Sequence, residues 1–135
     1  MADRDTAATI LVVDDEILIR NSAVQMVEDQ GYLALQAGSA DEAMGLLCSH
    51  PEIDVLFTDV VMAGSVDGLG LAANTHVIYP KISIVVTSGT GDRKSQLPAG
   101  ATFICKPYSP DELAAIFHRH IDQRRPFVLS DAPRG

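Results

Sequence analysis

The sequence predicts an α/β fold, a parallel sheet wound on both faces by helices, and three observations predict it. Five short apolar runs alternate with stretches whose apolar residues recur at helical spacing. The connections between them are short, which implies parallel strands joined by right-handed crossovers with helices covering both faces. One carboxylate, Asp59, stands where the run Ile53-Asp54-Val55-Leu56-Phe57-Thr58-Asp59 breaks off, at the edge where open α/β sheets hold their ligands. With 135 residues the chain fits one domain, large enough to bury its own core. We expect that domain over residues 9–124, with tails at 1–8 and 125–135.

Thr9-Ile10-Leu11-Val12-Val13 reads as the first strand, ended by the acids Asp14-Asp15-Glu16. A helix follows that buries Ile19, Ala23, Met26 and Val27, and Gly31 is placed to end it in the left-handed conformation that glycine adopts most readily. Leu33-Ala34-Leu35 is the second strand. Ser39-Ala40-Asp41-Glu42 has capping-box spacing, so the next helix starts at Ser39, buries Ala43, Leu46 and Leu47, and closes at His50-Pro51. The run ending at Asp59 is apolar enough for a strand buried on both faces. A glycine-bearing loop leads from Val60 to Gly68, and the third helix presents Leu69, Ala72, Ala73 and Val77 on one face before stopping near Pro80. Ile82-Ser83-Ile84-Val85-Val86-Thr87 is the fourth strand, running into Ser88-Gly89. Between Asp92 and Pro98 there is room for barely a turn or two of helix. Ala101-Thr102-Phe103-Ile104-Cys105 is the fifth strand, followed by Lys106-Pro107. Ser109-Pro110-Asp111-Glu112 combines a capping serine, proline at the first helical position and glutamate at the third, and the helix it starts buries Leu113, Ile116, Phe117 and Ile121.

The formal net charge of -8 argues against a nucleic-acid surface, which rests on clustered Lys and Arg. The small basic cluster His118-Arg119-His120 with Arg124-Arg125 is explained by the dipole of the last helix, whose carboxyl end favours cations. No apolar run is long enough to span a bilayer, and the polar start Met1-Ala2-Asp3-Arg4-Asp5 lacks a secretory signal, so the expected place is the cytoplasm. Cys48 and Cys105, without CxxC spacing, read as reduced core thiols. The four histidines form no metal-ligand pattern, and His118 and His120 read as surface residues.

The chemistry lies at the carboxyl ends of the strands: Asp14 and Asp15 after the first, Asp59 after the third, Ser88 after the fourth, Lys106 after the fifth. Carboxylates sharing one pocket about 4 to 5 Å apart repel by roughly 3 to 4 kcal/mol at an effective dielectric near 20. A hard divalent cation relieves that, and magnesium is the natural one because it also binds phosphate oxygens. A carboxylate beside a metal, a lysine and a hydroxyl suits the nucleophile of phosphoryl transfer. In that reading Asp59 is the nucleophile, and Lys106 and Ser88 bind the other phosphoryl oxygens.

These fragments together, Val12-Val13-Asp14-Asp15-Glu16, Phe57-Thr58-Asp59, Met62 with Asp67-Gly68, Thr87-Ser88-Gly89 and Cys105-Lys106-Pro107-Tyr108, resemble a response-regulator receiver domain of two-component signalling, from about Ile10 to Ile121. The resemblance implies a flavodoxin-like sheet in the order 2-1-3-4-5. It implies phosphorylation of Asp59 by a histidine kinase or phosphotransfer protein, and magnesium held by Asp15, Asp59 and the main-chain carbonyl of Val61, with Asp14 acting mainly through water. Phe103 takes the switch position, and Ser88 is preferred over Thr87 as the switch hydroxyl because a small residue, Gly89, follows it. The sequence departs from the family's pattern at Ala63, which stands where proline is usual, and at the Gly64-Ser65 loop, which is longer than usual. The stretch from Ser88 to Lys106 is shorter, so the fourth helix is truncated and the expected state is a monomer or weak dimer. The expected output runs through a downstream protein, with no catalytic turnover beyond self-phosphorylation and slow self-dephosphorylation. An unphosphorylated binding scaffold is the alternative. An aspartate-nucleophile phosphatase is a further one, although those enzymes carry a second acid where this chain has Val61.

Overall fold

The computed structural model describes residues 7–62, 66–89 and 94–124, and the five expected strands form within them. They are β1 (Thr9–Val13), β2 (Leu33–Ala37), β3 (Ile53–Asp59), β4 (Ser83–Ser88) and β5 (Thr102–Cys105). All pair in parallel, in the order β2-β1-β3-β4-β5. The helices are α1 (Ile17–Asp29), α2 (Ala40–Ser49), α3 (Gly68–Ile78) and α4 (Pro110–Arg124). Between β4 and β5 the described residues hold one 3₁₀ turn, Lys94–Gln96, within the short stretch where the sequence left room for barely a turn or two of helix. What the sequence suggested for residues 1–6, 63–65, 90–93 and 125–135 lies outside the described residues.

Alternate residues of a strand point to opposite faces, so each central strand feeds two cores. On one face Val12, Phe57 and Val85 pack with Val27 of α1 and Leu113 and Phe117 of α4. On the other, Leu11 and Leu56 pack with Leu47 of α2 and Leu71 of α3, while Ile84 and Val86 meet Leu69 and Ala72. Ala8, placed with the tail from sequence, is buried in the first of these cores, and its carbonyl accepts from Leu33 N.

Local chemistry sets the helix ends. Gly31 takes φ +89°, past the end of α1. Ser39 Oγ accepts from Glu42 N at 3.1 Å, while Glu42 reaches back to Gly38 N at 2.7 Å. At α4 the capping box is reciprocal: Ser109 Oγ accepts from Glu112 N at 3.1 Å, and Ser109 N donates to Glu112 Oε1 at 2.9 Å.

Three expectations are corrected. The buried face of α3 is Leu69, Leu71, Ala72 and Thr75, whereas Ala73 is exposed and Val77 is 78% exposed. This helix is apolar nearly all round, so periodicity does not single out a face. Thr75 turns inward because its hydroxyl donates to Leu71 O at 2.8 Å and leaves no unpaired polar atom. Cys48 and Cys105 are exposed, not core thiols, the first facing outward from α2 and the second on edge strand β5. His120 is buried, not a surface residue: its Nε2 pairs with Thr102 Oγ1 at 2.7 Å, tying α4 to the start of β5. His118 is exposed as expected.

Candidate functional site

Parallel strands place all their carboxyl ends on one edge of the sheet, and there the fold brings together side chains that lie far apart in sequence. Asp14 continues the ladder past β1, with its N–H donating to Ala37 O at 3.2 Å. Its side chain is nearly buried and accepts from Glu16 N at 2.9 Å through Oδ1. Asp15, the next residue, is exposed at the rim. Asp59 ends β3 and is also nearly buried. One oxygen from each of Asp14, Asp15 and Asp59 lies within 4.8 Å of the others.

Lys106 enters from the end of β5, its backbone fixed by the bond from its N–H to Ser88 O at 2.8 Å. Its Nζ stands 3.3 Å from Asp59 Oδ2 and 3.6 Å from Asp14 Oδ2. Burial raises the pKa of Asp59, Lys106 opposes that shift, the charge of Asp14 adds to it, and a main-chain hydrogen bond from Val61 works against it. The Lys106 ammonium thus pairs with two of three neighbouring carboxyl groups. The donor set is oxygen throughout and anionic, which fits a hard divalent cation and gives no soft ligand for a transition metal.

The cleft over these groups is lined by Asp15, Glu16, Asp59, Val61, Met62, Ser88, Gly89 and Lys106. Ser88 therefore stands at the site. Thr87 does not line this cleft, and its hydroxyl is buried with no hydrogen-bond partner among the described residues. Phe103 lies away from the cleft, half-buried on β5 against the cluster of Ile84, Val86 and Ala72. The side chain of Val61 points out to solvent while its backbone serves the site.

Several contributors were not singled out from sequence. Gly68, read only as half of an Asp-Gly motif, donates from its N–H to Val60 O at 2.8 Å, and a Cβ there would overlap the carbonyl oxygen of Asp59. The acceptor strand and the start of α3 approach this closely only because residue 68 is glycine. Arg20 donates to Asp14 O at 2.8 Å from Nη1 and to Gln36 Oε1 at 2.9 Å from Nε, bracing the β1 end from α1. Nothing in the helical periodicity marks it. Tyr108 packs its ring on Phe57, and burial together with the charges of Asp14 and Asp59 pushes its hydroxyl pKa up to about 12. Its place after Lys106-Pro107 was the available signal.

A family model described as the response regulator receiver domain matches residues 10–118. The nitrogen assimilation regulatory protein NtrX of Azorhizobium caulinodans is 34% identical over 124 residues, covering 88% of this chain and 27% of that protein. The sensor kinase CckA of Brucella abortus is 30% identical over 127 residues, covering 90% of this chain and 13% of the kinase. Among solved structures, a response regulator receiver domain protein from Clostridium thermocellum superimposes with a TM-score of 0.82 at 25% identity, covering 90% of this chain and 99% of that one. The receiver domain of NtrX from Brucella abortus does so with a TM-score of 0.77 at 32% identity, covering 84% of this chain and 98% of that domain. The chain thus spans about a quarter or less of the full-length curated relatives named here.

Proposed function

The chain belongs to the response regulator receiver domain family, and from that membership we propose that it is a phosphoacceptor, taking a phosphoryl group onto Asp59 from the histidine of a kinase or phosphotransfer protein and acting through a protein partner. The observation that carries this reading is the gathering of Asp14, Asp15 and Asp59 at the sheet edge, two of them paired with the ammonium of Lys106. A structural ion pair needs one acid and one base; the two further carboxyl groups make sense where cationic and phosphoryl charge will be received.

In the transfer, an oxygen of the Asp59 carboxylate forms a bond to phosphorus as the bond from phosphorus to the donor's imidazole nitrogen breaks, and the imidazole leaves with the electron pair. Burial raises the basicity of Asp59. Asp15, Asp59 and the Val61 carbonyl would hold magnesium, with Asp14 acting mainly through water, and the ion supplies neutralisation of the developing charge. Lys106 exchanges its ion pair with Asp59 for a phosphoryl oxygen, and the Ser88 hydroxyl donates to another. The chain is a stoichiometric acceptor in this reading, and any loss of phosphate is slow self-hydrolysis.

No helix of the described residues is long and apolar enough to cross a membrane. We place the protein in the cytoplasm, where phosphorylated histidine donors of this class present their phosphoryl group. Incubation with a radiolabelled small phosphodonor and magnesium tests the function. Stable label, lost in Asp59→Asn with the fold intact, is expected. Rapid phosphate release with turnover points to a phosphatase, and no uptake points to a scaffold. Magnesium affinity should fall at least tenfold in Asp15→Ala, since second anionic ligands dominate a weakly held hard cation; unchanged affinity by titration removes Asp15 from the site.

A further inference from the structure

Lys106 has a long, flexible stem, yet its ammonium must be delivered to one place between Asp59 and Asp14. On one side its backbone is fixed to β4 through Ser88 O. On the other side there is no secondary structure until α4 begins at Pro110, and Pro107 is exposed. What holds that side is Tyr108. Its ring meets Phe57 edge-on, with centroids 5.6 Å apart and planes at 69°. Phe57 lies two residues before Asp59 on β3, and Tyr108 two residues after Lys106. The contact therefore links the segment bearing the acceptor to the segment bearing the cation.

The contact is anchored in the core. Phe57 also meets Phe117 of α4 edge-on at 5.5 Å, and Phe117 meets Tyr32 at 6.2 Å, so four rings form a chain from the site through the α1/α4 core. On its outer side Tyr108 borders an open apolar groove of about 500 Å³ lined by Leu18, Ile19, Met26 and Lys106 itself. Loss of the ring would widen the groove beside the lysine and free its stem. The tyrosine hydroxyl stays protonated beside the two acids, so it adds no competing negative charge.

We propose that Tyr108 is a positioning residue of the acceptor site, its ring setting where Lys106 stands relative to Asp59 through edge-on packing against Phe57. The inference rests on the acceptor reading above. Its effect belongs to the rate of phosphoryl uptake and not to magnesium binding, which uses other residues.

The test measures labelling of the full chain by acetyl phosphate at saturating magnesium, separating the maximal rate from the donor concentration at half-saturation. Tyr108→Ala should lower the maximal rate by about tenfold to a hundredfold, the upper figure being what a misplacement of about 1 Å can cost. Magnesium affinity should stay within about twofold, which shows that the site itself is still folded. Tyr108→Phe, which keeps the ring, should restore the rate to within about twofold of wild type. In a Lys106→Ala background, adding Tyr108→Ala should slow uptake no further, because two residues acting through one group are not additive. A Tyr108→Ala rate equal to wild type, a Tyr108→Phe rate as low as Tyr108→Ala, or full additivity with Lys106→Ala overturns the proposal. Wild type that takes up no label under any condition would instead overturn the acceptor reading beneath it.

Discussion

Asp59 keeps a charge where burial and the neighbouring Asp14 disfavour it and Lys106 only partly compensates. The folded protein holds this proton at a pH where the unfolded chain has already released it, so stability falls as pH rises out of the carboxylate range, and the deficit persists at neutral pH. Asp59→Asn should therefore raise Tm at neutral pH in magnesium-free buffer by a few degrees, the response of such a domain to about 1 kcal/mol. The gain should vanish in melts below the ordinary carboxylate value of 3.8, where both side chains are neutral. His120 has the opposite sign. Burial and Arg119 hold its pKa below the ordinary 6.5, so the unfolded chain takes up the proton first and stability is lost as pH falls through and below that value. His120→Gln should flatten that slope in urea titrations while costing about 1 kcal/mol above it for the altered bond to Thr102.

At the level of elements, the caps and the sheet make separable contributions. Ser109→Ala removes one half of the reciprocal capping box of α4 and should cost about 1 kcal/mol. In α3, Leu71→Ala should cost about 3 kcal/mol because the side chain is fully buried between α2 and the sheet. Val77→Ala, on the same helix, should change stability by less than about 0.5 kcal/mol because Val77 faces solvent. Urea midpoints at unchanged m-value measure all three. A large effect at Val77 would mean that the face expected from the sequence, with Ala73 and Val77, is the buried one.

For the whole molecule, a phosphoryl group at Asp59 and the face formed by β5 and α4 are connected only if one ligand binds two arrangements with different affinity. Lys106 is bonded to Ser88 through its backbone and paired with Asp59 through its ammonium, so under the function proposed above it is the residue to carry the change. Lys106→Ala should accordingly leave beryllofluoride able to bind but reduce the chemical-shift response of Phe103 and Ser88 to it by at least half. An undiminished response would take Lys106 out of the switch. Under the function proposed above, the output is a changed affinity for a protein partner.

The sequence by itself determined the alternation of five strands with helices, the helix starts at Ser39 and Ser109, the turn at Gly31 and the set of polar residues at the strand ends. Each of these is written in local chemistry: apolar runs bounded by polar residues, side chains that cap nearby N–H groups, a glycine where φ is positive. Tertiary structure decided what depends on residues distant in sequence. Which side of α3 is buried followed from the sheet it lies against, since its composition was apolar all round. His120 went inside because Thr102, 18 residues away, supplied its hydrogen bond. Ser88 lines the cleft and Thr87 does not, although the register of β4 against β3 pairs Thr87 with Asp59, because Ser88 ends the strand one residue nearer the sheet edge where the acids stand. Gly68 and Tyr108 stood within short motifs, Asp67-Gly68 and Lys106-Pro107-Tyr108, but their parts at the site came from backbone approach and ring packing across the sheet.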